Sequence, residues 1–235
     1  MKLRSSELKS FFNGIILGDG HIHSGITKRA LEIKSINKDF IEFLSNTISE
    51  NTNLKYVIKE FDESFKKDVH RKKYWSLYIK SHPIFAKKYH HFYDDYKNRK
   101  ISNEVIRDIT PITLAIWYMS DGYVCLVGKT KGDITCRRVD ICTDRYKLDD
   151  IKRLVLGLKD KLDLDFSIIK RKNLYRIRLK SNSYSRFFEM VYPYIVPSMK
   201  YKCYLGYSYQ PKYISDWLYS IQEECRSALE NRFFE

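Results

Sequence analysis

The chain has 235 residues, 43 of them Lys or Arg against 29 Asp or Glu, for a formal net charge of +14. An excess this large points to an acidic partner, a nucleic acid or an anionic membrane surface, more than to solvation of a lysine-rich exterior. The composition argues against three classes: no two of the five cysteines have zinc-knuckle spacing, their odd number disfavours a disulfide framework, and no run of 18 apolar residues forms a helical membrane span.

Taken in order, the polar start Met1–Ser10 lacks the apolar core of a signal peptide. Ser6–Leu17 reads as a helix capped by Ser6, with Leu8, Phe11, Phe12, Ile15 and Ile16 at helical spacing. Gly14 and Gly18, four apart on one face, cost it about 1 kcal/mol each against alanine, so close approach of another backbone is expected to compensate. The run ends at Asp19-Gly20. Strands follow at 21–24 and 30–36, then an amphipathic helix from Lys38 to Ile48. Leu54–Lys59 and Tyr74–Lys80 read as strands around a charged loop at 60–73, and Pro83 opens a helix running to about Lys97.

The order then repeats. A second apolar helix follows Pro111 and ends at Asp121-Gly122, 102 residues after the first such end. Strands at Tyr123–Val127 and Arg137–Thr143 flank the loop 128–136. A helix from Asp149 to Leu162, a hairpin of Asp165–Lys170 with Leu174–Lys180, and a helix from Tyr184 to Tyr192 complete the unit. Ile79-Lys80-Ser81 matches Leu179-Lys180-Ser181, and Leu31-Glu32-Ile33 matches Val139-Asp140-Ile141. The fold expected is α+β, two pseudo-symmetric αββαββα repeats at 1–105 and 106–207, with a helical tail at 208–235.

Two parallel helices packed along small-residue faces would bring Asp19 and Asp121 together at the base of their seam. Two carboxylates beside the free carbonyls of helix C-termini form a hard-oxygen set that suits Mg²⁺ or Ca²⁺. Such ions can activate water against a phosphodiester. Asp-Gly alone often does no more than end a helix; its occurrence in both copies favours the functional reading. Lys100 and Lys202 each lie 81 residues beyond their aspartate, with Lys97 and Arg99 as neighbouring alternatives to Lys100. Either could hold water or offset charge at phosphorus.

On the last strand Arg176, Arg178 and Lys180 share one face; the matching first-copy positions, Ser76, Tyr78 and Lys80, are less charged. Lys34, Tyr78, Lys80, Arg137, Arg138, Arg176, Arg178 and Lys180 form the expected DNA-binding surface, which is unequal in its two halves and so suited to an asymmetric target. His21 and His23 share a strand face; Tyr123 and Cys125 replace them in the second copy, which argues against an essential role. His90/Asp94 and His91/Asp95 read as helical surface pairs.

The runs Phe12-Asn13-Gly14-Ile15-Ile16-Leu17-Gly18-Asp19-Gly20 and Leu114-Ala115-Ile116-Trp117-Tyr118-Met119-Ser120-Asp121-Gly122 resemble the LAGLIDADG motif of homing endonucleases, in the single-chain, two-motif branch. The segment Pro197-Ser198-Met199-Lys200-Tyr201-Lys202 resembles that family's late segment ending in an active-site lysine, and Asn98-Arg99-Lys100-Ile101 its first-repeat partner. The resemblance implies paired antiparallel sheets forming a DNA-binding saddle, parallel motif helices at the interface, and metal held by Asp19 and Asp121 with the carbonyls of Gly18 and Ser120. It implies a monomeric site-specific double-strand DNA endonuclease that cuts across the minor groove and leaves 3′ overhangs. Mg²⁺ is the expected cofactor, with Mn²⁺ substituting and Ca²⁺ binding without supporting cleavage. The rival reading is a non-cleaving protein of the same fold, an intron RNA maturase or a DNA-binding regulator. The expected location is soluble and intracellular, in a bacterium, a phage-infected cell or an organelle, with no membrane partner.

Overall fold

The computed structural model describes residues 2–23, 25, 29–62, 73–128, 135–206 and 215–234. Its first half runs α1 (Ser5–Leu17), β1 (His21–Ile22), β2 (Arg29–Ser35), α2 (Lys38–Asn51), β3 (Tyr56–Asp62), β4 (Lys73–His82), α3 (Pro83–Phe92). A short helix, α4 (Asn103–Arg107), leads into the second half: α5 (Pro111–Asp121), β5 (Gly122–Val127), β6 (Thr135–Cys142), α6 (Leu148–Leu162), β7 (Phe166–Arg171), β8 (Leu174–Leu179) and α7 (Tyr184–Val191). A 3₁₀ segment at Pro197–Cys203 precedes α8 (Asp216–Ser220) and α9 (Gln222–Phe234).

The two halves have one topology. Their antiparallel sheets are ordered β1-β2-β4-β3 and β5-β6-β8-β7. Alternation along the inner strands explains the layering. Leu31, Ile33, Leu77 and Ile79 of the first sheet, and Val139, Ile141, Ile177 and Leu179 of the second, are buried in the core with the inner faces of α2 and α6. The intervening residues, Glu32, Lys34 and Tyr78 in one sheet and Arg138, Arg176 and Arg178 in the other, form the opposite faces.

Helices α1 and α5 are the common centre. Residues 10–17 and 112–119 are buried throughout, so these helices pack on all sides. The glycine face works as expected from its spacing: a Cβ on Gly14 would lie 2.7 Å from the Thr113 carbonyl oxygen, and one on Gly18 would lie 2.6 Å from the Ser120 Cβ. The second copy has Ile116 where the first has Gly14, and its Cβ fills the space that glycine leaves, 3.0 Å from where a Cβ on Gly14 would sit. Polar ties reinforce the far end, where Ser10 Oγ donates to the Asp108 carbonyl and Thr113 Oγ1 to the Ser10 carbonyl.

Several boundaries differ from the sequence reading. Helix α1 starts one residue earlier than its expected cap, because the Glu7 carboxylate accepts the Arg4 backbone N–H (2.8 Å). Strands β3 and β4 extend into the charged segment 60–73; the rest of that loop, 63–72, lies outside the described residues, as does 129–134 of the loop 128–136. Helix α3 stops at Phe92, not Lys97. The Asp94 carboxylate accepts the backbone N–H groups of Tyr96 and Asn98 (3.1 and 2.8 Å), a local turn that competes with helix, and Lys97 takes a left-handed backbone. The expected His90/Asp94 and His91/Asp95 pairs therefore do not form; Asp94 pairs with Lys147, and His91 contacts Ser102 and Glu104.

Candidate functional site

Asp19 and Asp121 emerge side by side where α1 and α5 end. Burial, followed by the charge of Asp19, pushes the Asp121 carboxyl up to about 7, while Arg145 and Lys202 pull it down. Burial of Asp121 and the like charge beside it both disfavour its ionised form. Each helix end is then clasped by a basic side chain. Lys202 Nζ donates to the carbonyls of Met119 (2.5 Å) and Tyr118 (3.4 Å), and Tyr118 Oη donates back to the Lys202 carbonyl (2.6 Å). Burial pushes the Lys202 ammonium down to about 8, against the pull of Asp121 and Asp19.

The equivalent on α1 is Arg99. Its guanidinium donates to the carbonyls of Ile16 (2.8 Å) and Gly20 (2.5 Å). With the aspartates aligned, Ile16 corresponds to Tyr118, so Arg99 and Lys202 occupy related places. Lys100, the sequence-predicted partner, makes no comparable side-chain bond to a helix end among the described residues: its backbone N–H bonds the Phe92 carbonyl, and its charge bears on His91. Lys97 stands exposed in the turn. The reversal at 94–98 decides which of these neighbours faces α1.

Two further residues come from an element that sequence reading left out. In the turn after β6, Arg145 reaches across the seam to Asp19 (Nη2 to Oδ1, 3.4 Å), and Tyr146 Oη donates to the Leu17 carbonyl (3.0 Å). The second half thus supplies a cation to the first half's carboxylate. Donors take the carbonyls of Ile16, Leu17, Gly20, Tyr118 and Met119; those of Gly18 and Ser120 receive none of these donors. Two carboxylates, a basic fringe and these carbonyls fit a hard divalent cation.

The sheet faces beside the site correct a simpler expectation. Arg138, Arg176 and Arg178 share the predicted face, but they are not uncommitted cations. Buried Asp140 accepts from Arg178 Nε (2.7 Å), Arg138 Nε (3.1 Å) and Tyr123 Oη (2.9 Å), and Asp144 binds Arg176 at two points (2.8 and 3.1 Å). Register explains the pairing, since Asp140 lies directly opposite Arg178. The guanidiniums are preorganised, with fewer donors free for phosphate. Lys34, Lys80 and Lys180 are exposed, as is Arg137 where the β5–β6 register shifts.

The first sheet has a weaker counterpart. Glu32 stands where Asp140 does, and accepts from Ser76 Oγ (2.7 Å) while pairing with His23 (2.9 Å). Tyr78 lies against His23, whose ring is 5.1 Å from that of His21. Among the described residues no three His, Cys, Asp or Glu side chains gather in metal-binding geometry. His21 and His23 belong to this surface network.

Twin helices carrying paired acids between two antiparallel sheets define a two-repeat LAGLIDADG fold. The profile of the LAGLIDADG DNA endonuclease family matches residues 9–187, and the chain belongs to that family. It is 25% identical over 214 residues to the DNA endonuclease I-ChuI of Chlamydomonas applanata, covering 84% of this chain and 94% of the relative. It is 30% identical over 128 residues to a probable intron-encoded endonuclease 1 of Wickerhamomyces canadensis, 54% of each chain. The solved structure of the homing endonuclease I-WcaI bound to its DNA recognition sequence superposes with a TM-score of 0.72 at 25% identity, over 84% of this chain and 86% of that one. No helix among the described residues is long and apolar enough to cross a membrane.

Proposed function

We propose that this protein is a site-specific DNA endonuclease that hydrolyses both strands of a long asymmetric duplex with a divalent cation. The observation that carries the reading is the convergence of Asp19 and the more deeply buried Asp121 where α1 and α5 end, each helix end clasped by a basic side chain. Family membership and the likeness to DNA endonucleases support it.

Asp19 and Asp121, with the Gly18 and Ser120 carbonyls, would hold Mg²⁺. The bound cation would supply an activated water and charge stabilisation at phosphorus. Lys202 and Arg99 hold the helix ends in place and set positive potential beside the scissile phosphates, and Arg145 balances Asp19 across the seam. The sheets would straddle the duplex, with Arg137, Lys34, Lys80 and Lys180 meeting backbone phosphates and the Asp140 network presenting Arg138 and Arg178 to base edges. The two faces differ in charge, so the half-sites should differ too. The protein would act as a monomer, because both aspartates lie in one chain.

Incubation with a randomised duplex library and Mg²⁺ tests the reading. It should yield cut molecules sharing one asymmetric sequence and bearing 3′ overhangs. Recovery of bound but intact duplexes, or of bound RNA alone, would reject the enzyme in favour of a binding protein of the same fold.

A further inference from the structure

The C-terminal helices have no counterpart in the first half, yet they grip the segment that carries Lys202. That segment, Pro197–Cys203, is 3₁₀ helix, whose poor hydrogen-bond geometry rarely sustains seven residues without outside support. Gln222, at the start of α9, bridges the backbone just beyond the lysine: its Oε1 accepts the Leu205 N–H (2.7 Å) and its Nε2 donates to the Cys203 carbonyl (3.3 Å). The same Nε2 reaches the Leu218 carbonyl (3.1 Å), which fixes the amide. On the near side, Glu224 pairs with Lys200, and Arg232 covers the Tyr201 ring (4.2 Å). Cys203 and Cys225 are both fully buried where the two elements meet.

Arg99 is supported differently. Its segment is folded back by the Asp94 turn and by a bridge between Tyr93 and Arg99, and α6 holds the residue just beyond it, where Asp150 accepts the Ile101 N–H (3.2 Å) and Arg153 donates to the Ile101 carbonyl (2.9 Å). The two basic groups of the site thus rest on unequal scaffolds: Arg99 is held by the two repeats, and the Lys202 segment by the tail as well.

We infer that Gln222 is a positioning residue for Lys202, and that the tail governs hydrolysis of one DNA strand and not the other. The inference rests on the proposed nuclease function. Without the Gln222 bridge the 197–203 segment loses the anchor at its C-terminal end and keeps its contacts at residues 200–202, and a displacement of about 1 Å can cost as much as 10²-fold in rate. Arg99 and its strand are left as they were.

The test is single-turnover cleavage of a selected duplex labelled separately on its two strands, with Lys202→Met and Arg99→Met as references for strand assignment. Gln222→Ala should slow the strand that Lys202→Met slows by about ten-fold or more, leave the other within about two-fold, and accumulate nicked product. DNA affinity without Mg²⁺ should be unchanged. Gln222→Glu keeps the acceptor for Leu205 and should show an intermediate bias, and it serves if the alanine variant does not fold. Equal slowing of both strands, or no slowing, overturns the inference while leaving the nuclease reading intact. If the wild-type protein cuts neither strand, the nuclease reading fails and the inference falls with it.

Discussion

At the scale of single residues, Asp121 carries the most direct consequence. Its folded-state value of about 7 lies above the ordinary 3.8, so the folded protein holds this proton more tightly than the unfolded chain. The stability gained from that proton is complete below about pH 4 and is lost as pH rises through about 7. In metal-free buffer Asp121→Asn should therefore stabilise the protein at pH 8 by about 1–2 kcal/mol, after allowance for solvent screening, and change little at pH 4. Thermal melts across this range check it, and added Mg²⁺ should stabilise the wild type but not the variant. Asp140 makes the opposite case, a buried carboxylate that is well partnered. Asp140→Ala leaves Arg138 and Arg178 without their shared acceptor and should cost about 3 kcal/mol in urea denaturation. Sequence showed the arginines because alternation in one strand is enough to place them on a face. It did not show Asp140 or Asp144 as their partners, because that needs the register between β6 and β8. Arg99 was hidden among neighbours for a related reason: only the turn built by Asp94 decides that it, and not Lys100, faces α1.

At the scale of elements, the seam between α1 and α5 sets the site. The glycine spacing in α1 was legible because two glycines on one helical face cost stability unless another backbone comes close. Gly14→Ala would regain about 1 kcal/mol of helix propensity. It would also drive a Cβ to 2.7 Å from the Thr113 carbonyl, and overpacking of this kind should outweigh the gain and destabilise by about 1–2 kcal/mol. Gly18→Ala presses on Ser120, directly beside the aspartates, and should lower cleavage more than stability; chemical denaturation and cleavage rates measured together separate the two. The contribution of the β6–α6 turn was not legible. Arg145 and Tyr146 belong to the second repeat but serve the first repeat's helix, and that crossing arises only when the halves pack.

At the scale of the molecule, duplication explains the architecture and its departures explain the chemistry. One sheet presents guanidiniums held by Asp140 and Asp144, the other histidine, tyrosine and serine around Glu32. Binding should fall steeply with salt, because a chain of net charge +14 displaces counterions from phosphates. The dependence should flatten when Lys34, Lys80 or Lys180 is replaced by alanine, by about one unit of the log–log slope for each phosphate no longer neutralised, in titrations at several salt concentrations. The tail was recognisable from sequence as an unrepeated appendage, whereas its hold on the Lys202 segment depends on Gln222 reaching two backbone groups that no pattern reveals.

The measurement that bears most directly on the paired-carboxylate site is cleavage and binding of one duplex by Asp19→Asn and Asp121→Asn, assayed separately. Both variants should bind with wild-type affinity when Mg²⁺ is withheld and lose at least about 10³-fold in cutting rate when it is supplied. Cutting at the wild-type rate by either variant would contradict a shared carboxylate site for the metal.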